Sequence, residues 1–261
     1  MIYVLLPAYN EEKALAIIFE SLEKVIANSA EEMRIVVCND GSSDSTLEVA
    51  RSHEAKLPLT ILDHGTNKGL GVAMRSLLYH TAEIAGSDDA AVAMDADNTH
   101  NPELIPKMRA KLNTGADIVI ASRYHPDGEE VGLSKFRQIL SRGASIILGT
   151  FFRIPGVRDY TCGYRMYRGS KLKEAKETYG DDFILERNFV CMAEILIKLH
   201  KIGAKVDEVG LTLRYDLKGG ASKMPFARTI AKYLLITWRW GILNGLSKYL
   251  KQKPAATKSG K

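Results

Sequence analysis

The rhythm of the first half of the chain limits what it can fold into. Short apolar runs alternate with stretches at helical spacing. IYVLLPAY precedes EKALAIIFESLEKVIA, RIVVCND precedes DSTLEVARSH, LTILDH precedes GLGVAMRSLLYHTAEIAG, AAVAMDAD precedes PELIPKMRAKLN, and DIVIASRY makes a fifth run. Strands alternating with helices predict βαβ units and a parallel sheet, because parallel neighbours need a crossover and a helix usually makes it. Runs such as RIVVC are apolar at successive positions, as strands are when both faces are covered. The second half is less regular. SKFRQILSRGASIILGTFF reads as a helix, DYTCGYRMYRG as a strand or hairpin, ILERNFVCMAEILIKLHKIG as a helix and AKVDEVGLTLRYD as a pair of strands.

Polar residues gather after each of the five apolar runs: PAYNE, NDGSSD, DHGTNKG, DADNTH and SRY. Ligands of an open α/β sheet bind outside the carboxyl ends of its strands. One such cluster is an ordinary turn; five on one edge predict a site. MDADNTHNPE carries the most chemistry. Asp95 and Asp97 leave an extended backbone on the same side and repel unless a positive charge lies between them. Hard carboxylate oxygens suit Mg²⁺ or Mn²⁺, ions that combine one or two carboxylates with substrate phosphates. A local cap and turn is the alternative. Two other nucleotide devices are missing. GLGVAM has Met74 where the dinucleotide fingerprint needs its last glycine, and no GxxxxGK[ST] occurs. Phosphates then fall to a metal and to basic side chains.

A chain of 261 residues, 46% hydrophobic, can bury a sizeable core in one large domain or two small ones. Cys38, Cys162 and Cys191 are an odd number without paired spacing, which fits a reducing compartment better than a disulfide framework or a zinc site. No apolar run approaches the roughly 20 residues of a spanning helix, and the first residues lack a signal peptide's basic start and apolar core. The net charge of +5 hides an asymmetry: residues 217–261 carry ten Lys or Arg and no Asp or Glu. A basic end on an acidic body suits an anionic partner, whether membrane surface, nucleic acid or phosphorylated substrate. Residues 225–250 read as a basic amphipathic helix, with Phe226, Ile230, Tyr233, Leu234, Trp238 and Ile242 on one stripe and Arg228, Lys232, Arg239 and Lys248 around it. Such a helix lies in a membrane interface or packs its stripe on the protein or on a second copy. The predicted division is a catalytic unit over 1–224, the interfacial helix over 225–250 and a disordered basic tail over 251–261. The expected location is cytoplasmic, peripheral at the cytoplasmic face of a membrane.

PAYNEE, VCNDGSSDST, NKGLGVA and MDADNTHNPE, in that order, resemble the nucleotide-sugar domain of inverting family-2 glycosyltransferases. ASRY, SRGAS, DYTCGYRMY and RYDLKGGASKM are similar, more narrowly, to the polyprenyl-phosphate glycosyltransferases of the dolichol-phosphate mannose synthase group. The resemblance covers about residues 1–225 and is specific through the number and order of its motifs. It implies a GT-A-type α/β fold: a nucleotide-sugar-binding sheet of mostly parallel strands flanked by helices. The C-terminal basic amphipathic helix would follow that sheet.

The resemblance also implies roles. Pro7, Tyr9 and Glu11 contact base and ribose, Tyr9 by stacking and Glu11 by accepting a hydrogen bond; the alternative is a strand-to-helix turn capped by Asn10. Asp40 faces the base or ribose, while Asp44 caps a helix. Lys68 adds charge beside glycines that permit close approach, or the glycines simply form a turn. Asp97 holds the metal, and Asp95 holds the ribose or the metal through water, with Ala96 between them against the donor. His100 is structural or supports the carboxylates. Arg123 lies near the phosphates. Arg137 and Ser141, four apart on one helix face, meet an acceptor phosphate or are simply solvated. Arg214 and Lys223 border a Gly-rich loop that closes over the diphosphate or is simply an unstructured basic loop. Many relatives hold the metal with a Gln two places after the second Asp; here that place is Thr99.

The implied reaction moves a hexose, foremost mannose from GDP-mannose, with inversion onto a polyprenyl (dolichyl) phosphate. A UDP-glucose donor with the same acceptor is the near alternative, and a nucleotidyltransferase or a non-catalytic basic module for RNA the distant ones. No nucleic-acid motif accompanies the basic tail, so no nucleic acid is expected as a partner. A second copy or a membrane protein remains open as a partner.

Overall fold

The computed structural model describes residues 1–218 and Tyr233. Lys223, the 251–261 tail and all of the 225–250 segment except Tyr233 lie outside the described residues. The alternation of the first half is realised as β1 (Ile2–Ala8), α1 (Glu12–Ala27), β2 (Met33–Asn39), α2 (Thr46–His53), β3 (Leu59–Asp63), α3 (Leu70–Ile84), β4 (Ala90–Ala93), α4 (Ile105–Asn113) and β5 (Ile118–Ser122). Then follow β6 (Glu129–Val131), α5 (Lys135–Phe152), β7 (Arg165–Arg168), α6 (Gly169–Tyr179), α7 (Cys191–Lys201), β8 (Val206–Gly210) and β9 (Thr212–Arg214).

The main sheet runs β3-β2-β1-β4-β7-β5-β8, and β6 pairs with β9 in a small second sheet. In the main sheet only β7 is antiparallel to its neighbours. The sheet is covered on both faces: α3 packs with α6 and α7, while α1 packs with α2 and, through the Pro102–Leu104 turn, reaches α4. That double cover explains the unbroken apolar strands, since every residue of β4 and β5 is buried. The order reverses at β1, which has β2 on one side and β4 on the other. β4 pairs with β1 only over Ile2–Leu5, so beyond Leu5 the two chains part. Pro7, which has no N–H to donate, sits where β1 has lost that neighbour. The crevice so formed is the switch point of an open α/β sheet.

Three local outcomes differ from the sequence reading. The helix expected from Ile184 begins only at Cys191. Glu194 of that helix uses Oε2 to accept the backbone N–H groups of Leu185 (3.0 Å) and Glu186 (2.9 Å), and Asn188 Oδ1 accepts from Val190. These bonds draw residues 185–190 out of the helix. The strand pair of AKVDEVGLTLRYD is divided between two sheets, because Leu211 alone separates β8 from β9 and one residue cannot close a hairpin. Helix α6, largely polar, was not read at all. Cys38, Cys162 and Cys191 are free and buried, and burial pushes the Cys38 and Cys162 thiols up to about 12.

Candidate active site

The Asp-Ala-Asp segment leaves the buried end of β4 at the switch point. Met94 N–H still bonds Leu5 O, at 3.1 Å. Asn98 then takes a left-handed conformation, φ 66°, which Asn tolerates better than most residues, and the chain doubles back. Asp97 Oδ1 accepts from Thr99 N (3.1 Å) and Thr99 Oγ1 (2.6 Å), and Asp97 Oδ2 accepts from the Lys218 ammonium. Burial pushes the Asp97 carboxyl up, but Lys218 and, more weakly, His100 and the Thr99 hydroxyl pull it below the usual carboxylate range. Among the described residues Asp95 has no such counter-charge in contact. Desolvation raises its pKa, His100 opposes that rise and Asp97 adds to it. Its side chain keeps about a third of its surface open. His100 Nδ1 lies 3.0 Å from Asp95 N and accepts from it, and His100 Nε2 lies 3.9 Å from Asp95 Oδ2. The buried imidazole stacks on Tyr164.

Beside these carboxylates a cavity of about 330 Å³ brings together ten of the residues singled out from sequence: Pro7, Tyr9, Glu11, Asp40, Asp95, Ala96, Asp97, Arg123, Arg137 and Ser141. Their positions follow from local chemistry. Asn10, at φ 53°, does not cap α1. Its N–H goes to Ser42 Oγ and its Oδ1 accepts from Ser43 N, which ties the β1 end to the β2 end. Asp44 does act as a cap, accepting from Thr46 N (3.0 Å) and from Glu12 N at the start of α1 (3.3 Å). Asp40 is buried. Its Oδ1 accepts from His64 Nδ1 (2.7 Å) and Lys68 N (3.0 Å), and its Oδ2 from Gly69 N (2.8 Å). The Lys68 side chain is exposed and is not among the cavity-lining residues. The glycines of NKGLG do permit close approach, but to the protein: a Cβ at Gly71 would fall 1.8 Å from Glu186 O.

Across the cavity, Arg123 is held by Asp159. Nε and Nη2 donate to the two carboxylate oxygens at 2.7 and 2.8 Å, Nη2 also to Thr161 Oγ1 (2.7 Å), and Nη1 to Ser141 Oγ (3.0 Å). Asp159 is fully buried. Burial pushes its carboxyl up, but Arg123 and the N–H groups of Thr161 and Cys162 bring it below the usual range. Arg137 donates to Tyr215 Oη at 3.2 Å and lies over that ring. Leu133, Leu140, Ala144, Phe189, Leu213 and buried Tyr233 complete an apolar lining. Arg214 is exposed and paired with Asp216. Asp159 and Lys218 were missed in the sequence. Asp159 carried a signal, since Asp-x-Thr occurs there as it does at Asp97. Lys218 carried none, because a lysine in a polar loop is unremarkable.

The model for glycosyl transferase family 2 matches residues 3–175. This chain belongs to glycosyl transferase family 2. The family member is 32% identical over 238 residues to a dolichol-phosphate mannosyltransferase of Pyrococcus furiosus, a match covering 90% of this chain and 62% of that protein, so the chain spans about three fifths of that relative's length. It is 28% identical over 246 residues to an undecaprenyl-phosphate mannosyltransferase of Micrococcus luteus, covering 92% and 94%. Among solved structures it resembles glucosyl-3-phosphoglycerate synthase from Mycobacterium tuberculosis in complex with Mn²⁺, uridine diphosphate and phosphoglyceric acid, with a TM-score of 0.64 and 17% identity over 91% of this chain and 78% of that one. It also resembles TarS 1–349 of S. aureus, with a TM-score of 0.56 and 17% identity over 98% and 75%. The α/β fold with a mostly parallel sheet expected for this family member is the observed one.

Proposed function

We propose that this protein is a metal-dependent inverting glycosyltransferase that transfers mannose from GDP-mannose to a polyprenyl phosphate at a membrane surface. One observation carries the reading: one cavity joins the Asp95–Asp97 pair to a wall formed by Arg137, Leu140 and Ala144 of α5. The first half suits a nucleotide diphosphate, the second a phosphate on an apolar chain. The relatives named for dolichol-phosphate and undecaprenyl-phosphate mannosyl transfer support the choice of sugar and acceptor.

The donor atoms fit Mg²⁺ or Mn²⁺. Asp97 Oδ2 already contacts a cationic group, and Asp95 opens to the cavity without a counter-charge in contact among the described residues. The Thr99 hydroxyl is committed to Asp97 Oδ1, so the protein offers two carboxylates and leaves the remaining positions to phosphates and water. No group of three or more His, Cys, Asp or Glu among the described residues could hold an ion alone. A bound ion would neutralise the departing diphosphate.

The rest falls to this chain's own side chains. Pro7, Tyr9, Glu11 and Asp40 border the nucleoside. Arg123 is largely neutralised by Asp159, so Arg137 is the better anchor for the acceptor phosphate, and Ser141 Oγ accepts from Arg123 and from Tyr124 and keeps its hydroxyl hydrogen to donate. A phosphomonoester is mostly dianionic at neutral pH, its second pKa being about 6. Its oxygen attacks the anomeric carbon as the bond to the diphosphate breaks on the opposite face. The configuration inverts and no general base is needed. The exposed apolar residues Phe136, Ile139, Ile146 and Phe151 on α5, next to this wall, support a lipid surface, as do the basic residues after Asp216.

The test offers GDP-mannose, UDP-glucose and UDP-GlcNAc separately, with Mn²⁺ and undecaprenyl phosphate, and follows the glycolipid by mass spectrometry. The expected result is a mannosyl lipid from GDP-mannose, lost in EDTA. Transfer from UDP-glucose alone would reassign donor and sugar. Full transfer in EDTA would remove the metal.

A further inference from the structure

Lys218 occupies the one oxygen of Asp97 that a metal could use. Oδ1 is taken twice by Thr99, which leaves Oδ2, and Oδ2 accepts from the Lys218 ammonium. The lysine is not placed there by chance of a loose loop. The chain leading to it is stitched to the Asp97–Thr99 turn, since Arg214 N donates to Thr99 O at 3.2 Å. It is braced again by the Arg214–Asp216 pair (2.7 Å) and by Gly132, where any Cβ would fall 2.6 Å from Asp216 N. The side chain is only 15% exposed, lines the cavity and lies 5.4 Å from the Tyr215 ring centroid. An ammonium and a divalent ion on the same carboxylate oxygen repel each other strongly. A divalent ion that takes Oδ2 pushes the ammonium away, and a displaced ammonium inside a cavity needs another anion. The flexible four-carbon stem of lysine lets it find one nearby. A diphosphate held in the same cavity supplies that anion.

We propose that Lys218 is a built-in counter-cation of Asp97 that gives the carboxylate up to the metal when a nucleoside diphosphate arrives to receive the ammonium. The proposal rests on the reading of Asp97 as the metal carboxylate. Its consequence is a dependence of metal binding on nucleotide. The ion alone competes with Lys218 and binds weakly. With the nucleotide present the competition ends, and Lys218 joins the metal in holding the diphosphate. Linkage makes the effect reciprocal, so the metal strengthens nucleotide binding by the same factor.

The experiment titrates Mn²⁺ into the full chain and reads free Mn²⁺ by electron paramagnetic resonance, alone and with GDP or UDP. The wild type is expected to bind Mn²⁺ on the order of tenfold or more tightly with its nucleotide than without, within the usual range of such couplings. Lys218→Met keeps most of the stem and removes the charge. It is expected to bind Mn²⁺ alone about tenfold more tightly than wild type and to lose most of the coupling, while Lys218→Arg retains coupling. If Lys218→Met does not fold, Lys218→Gln is read in the same titration. A charge-free variant that binds Mn²⁺ alone no better than wild type, with Asp97-dependent binding intact, overturns the role of Lys218 and spares the metal reading. If Asp97→Asn leaves wild-type Mn²⁺ binding in the presence of nucleotide unchanged, the metal reading falls and this proposal with it.

Discussion

Three aspartates of this chain stand two residues before a threonine, and all three make the same turn. Asp44, Asp97 and Asp159 each accept, on Oδ1, the backbone N–H and the hydroxyl of Thr46, Thr99 and Thr161. The turn leaves the second carboxylate oxygen facing away from its own loop. Asp44 gives that oxygen to the start of α1, Asp97 to Lys218 and Asp159 to Arg123. A hydrogen bond to a charged group contributes about 1.5–3 kcal/mol, so Thr99→Val should loosen Asp97. Asp97→Asn should nearly abolish transfer and Thr99→Val should lower it less, both measured as glycolipid formed per minute. Asp159→Asn tests the other turn. It takes the two-pronged carboxylate partner from buried Arg123, leaving Glu130 at 3.4 Å as the remaining one, and should cost about 3 kcal/mol of stability. The Asp159 carboxyl lies below its unfolded value of about 3.9. Its contribution is therefore complete above that pH and is lost as pH falls through the lower folded value. Urea unfolding at pH 7 and pH 3 should show wild type losing this contribution in acid and the variant having none left to lose.

The start of α7 controls a wall of the site at one remove. Glu194 accepts the N–H groups of Leu185 and Glu186 and pairs with Lys198 at 2.6 Å, both of these side chains being buried. Lys198 also donates to Asp182 O. The segment so held lies against α3, where Gly71 N bonds Arg187 O, and α3 begins at the loop that Asp40 ties down. Replacing Gly71 by Ala puts a methyl carbon 1.8 Å from Glu186 O. The backbone has to move, at a cost of about 1–3 kcal/mol for an overpacked contact. Thermal melts should show the loss, and a weaker fit of nucleotide should accompany it. Glu194→Gln should cost more, about 3–5 kcal/mol, because Lys198 then keeps a buried charge without its carboxylate.

At the scale of the molecule, charge and apolar surface are unevenly distributed. Ten basic residues and no acidic one follow Asp216, and α5 exposes Phe136 at 71%, Ile139 at 69% and Ile146 at 63%. Their spacing of three and seven places them along one side of the helix. No helix among the described residues is long and apolar enough to cross a membrane. If the lipid-phosphate reading holds, the whole chain should sediment with anionic liposomes at low salt and be released in part at high salt. Each Lys or Arg near such a surface contributes about 1 kcal/mol. A chain ending at Lys223 should bind less, and Phe136→Ser with Ile139→Ser should weaken the salt-resistant part. Equal sedimentation of all three proteins would remove the membrane from the proposal.

Alternation determined the first five strands and the helices between them, but not the antiparallel β7 that separates β4 from β5. The five runs before residue 124 are the strands β1 to β5, since continuous apolar character survives only where both faces are covered. The polar clusters at their ends pointed to one edge, and ten of the named residues do line one cavity there. What the sequence could not show were contacts between segments far apart in the chain. Arg123 was expected near the phosphates, but Asp159, 36 residues later, holds and neutralises it. The glycines of NKGLG permit close approach, and what approaches is Glu186 and Arg187. The run from Ile184 has helical spacing throughout, yet one buried carboxylate takes its first N–H groups. Lys218 lies 121 residues from Asp97. Local pattern reports what a residue can do with its near neighbours, so it determined strands, turns and the carboxylate pair. Which charges meet is decided by the desolvation of groups that only the folded chain brings together, and that is where the tertiary structure alone decided the site.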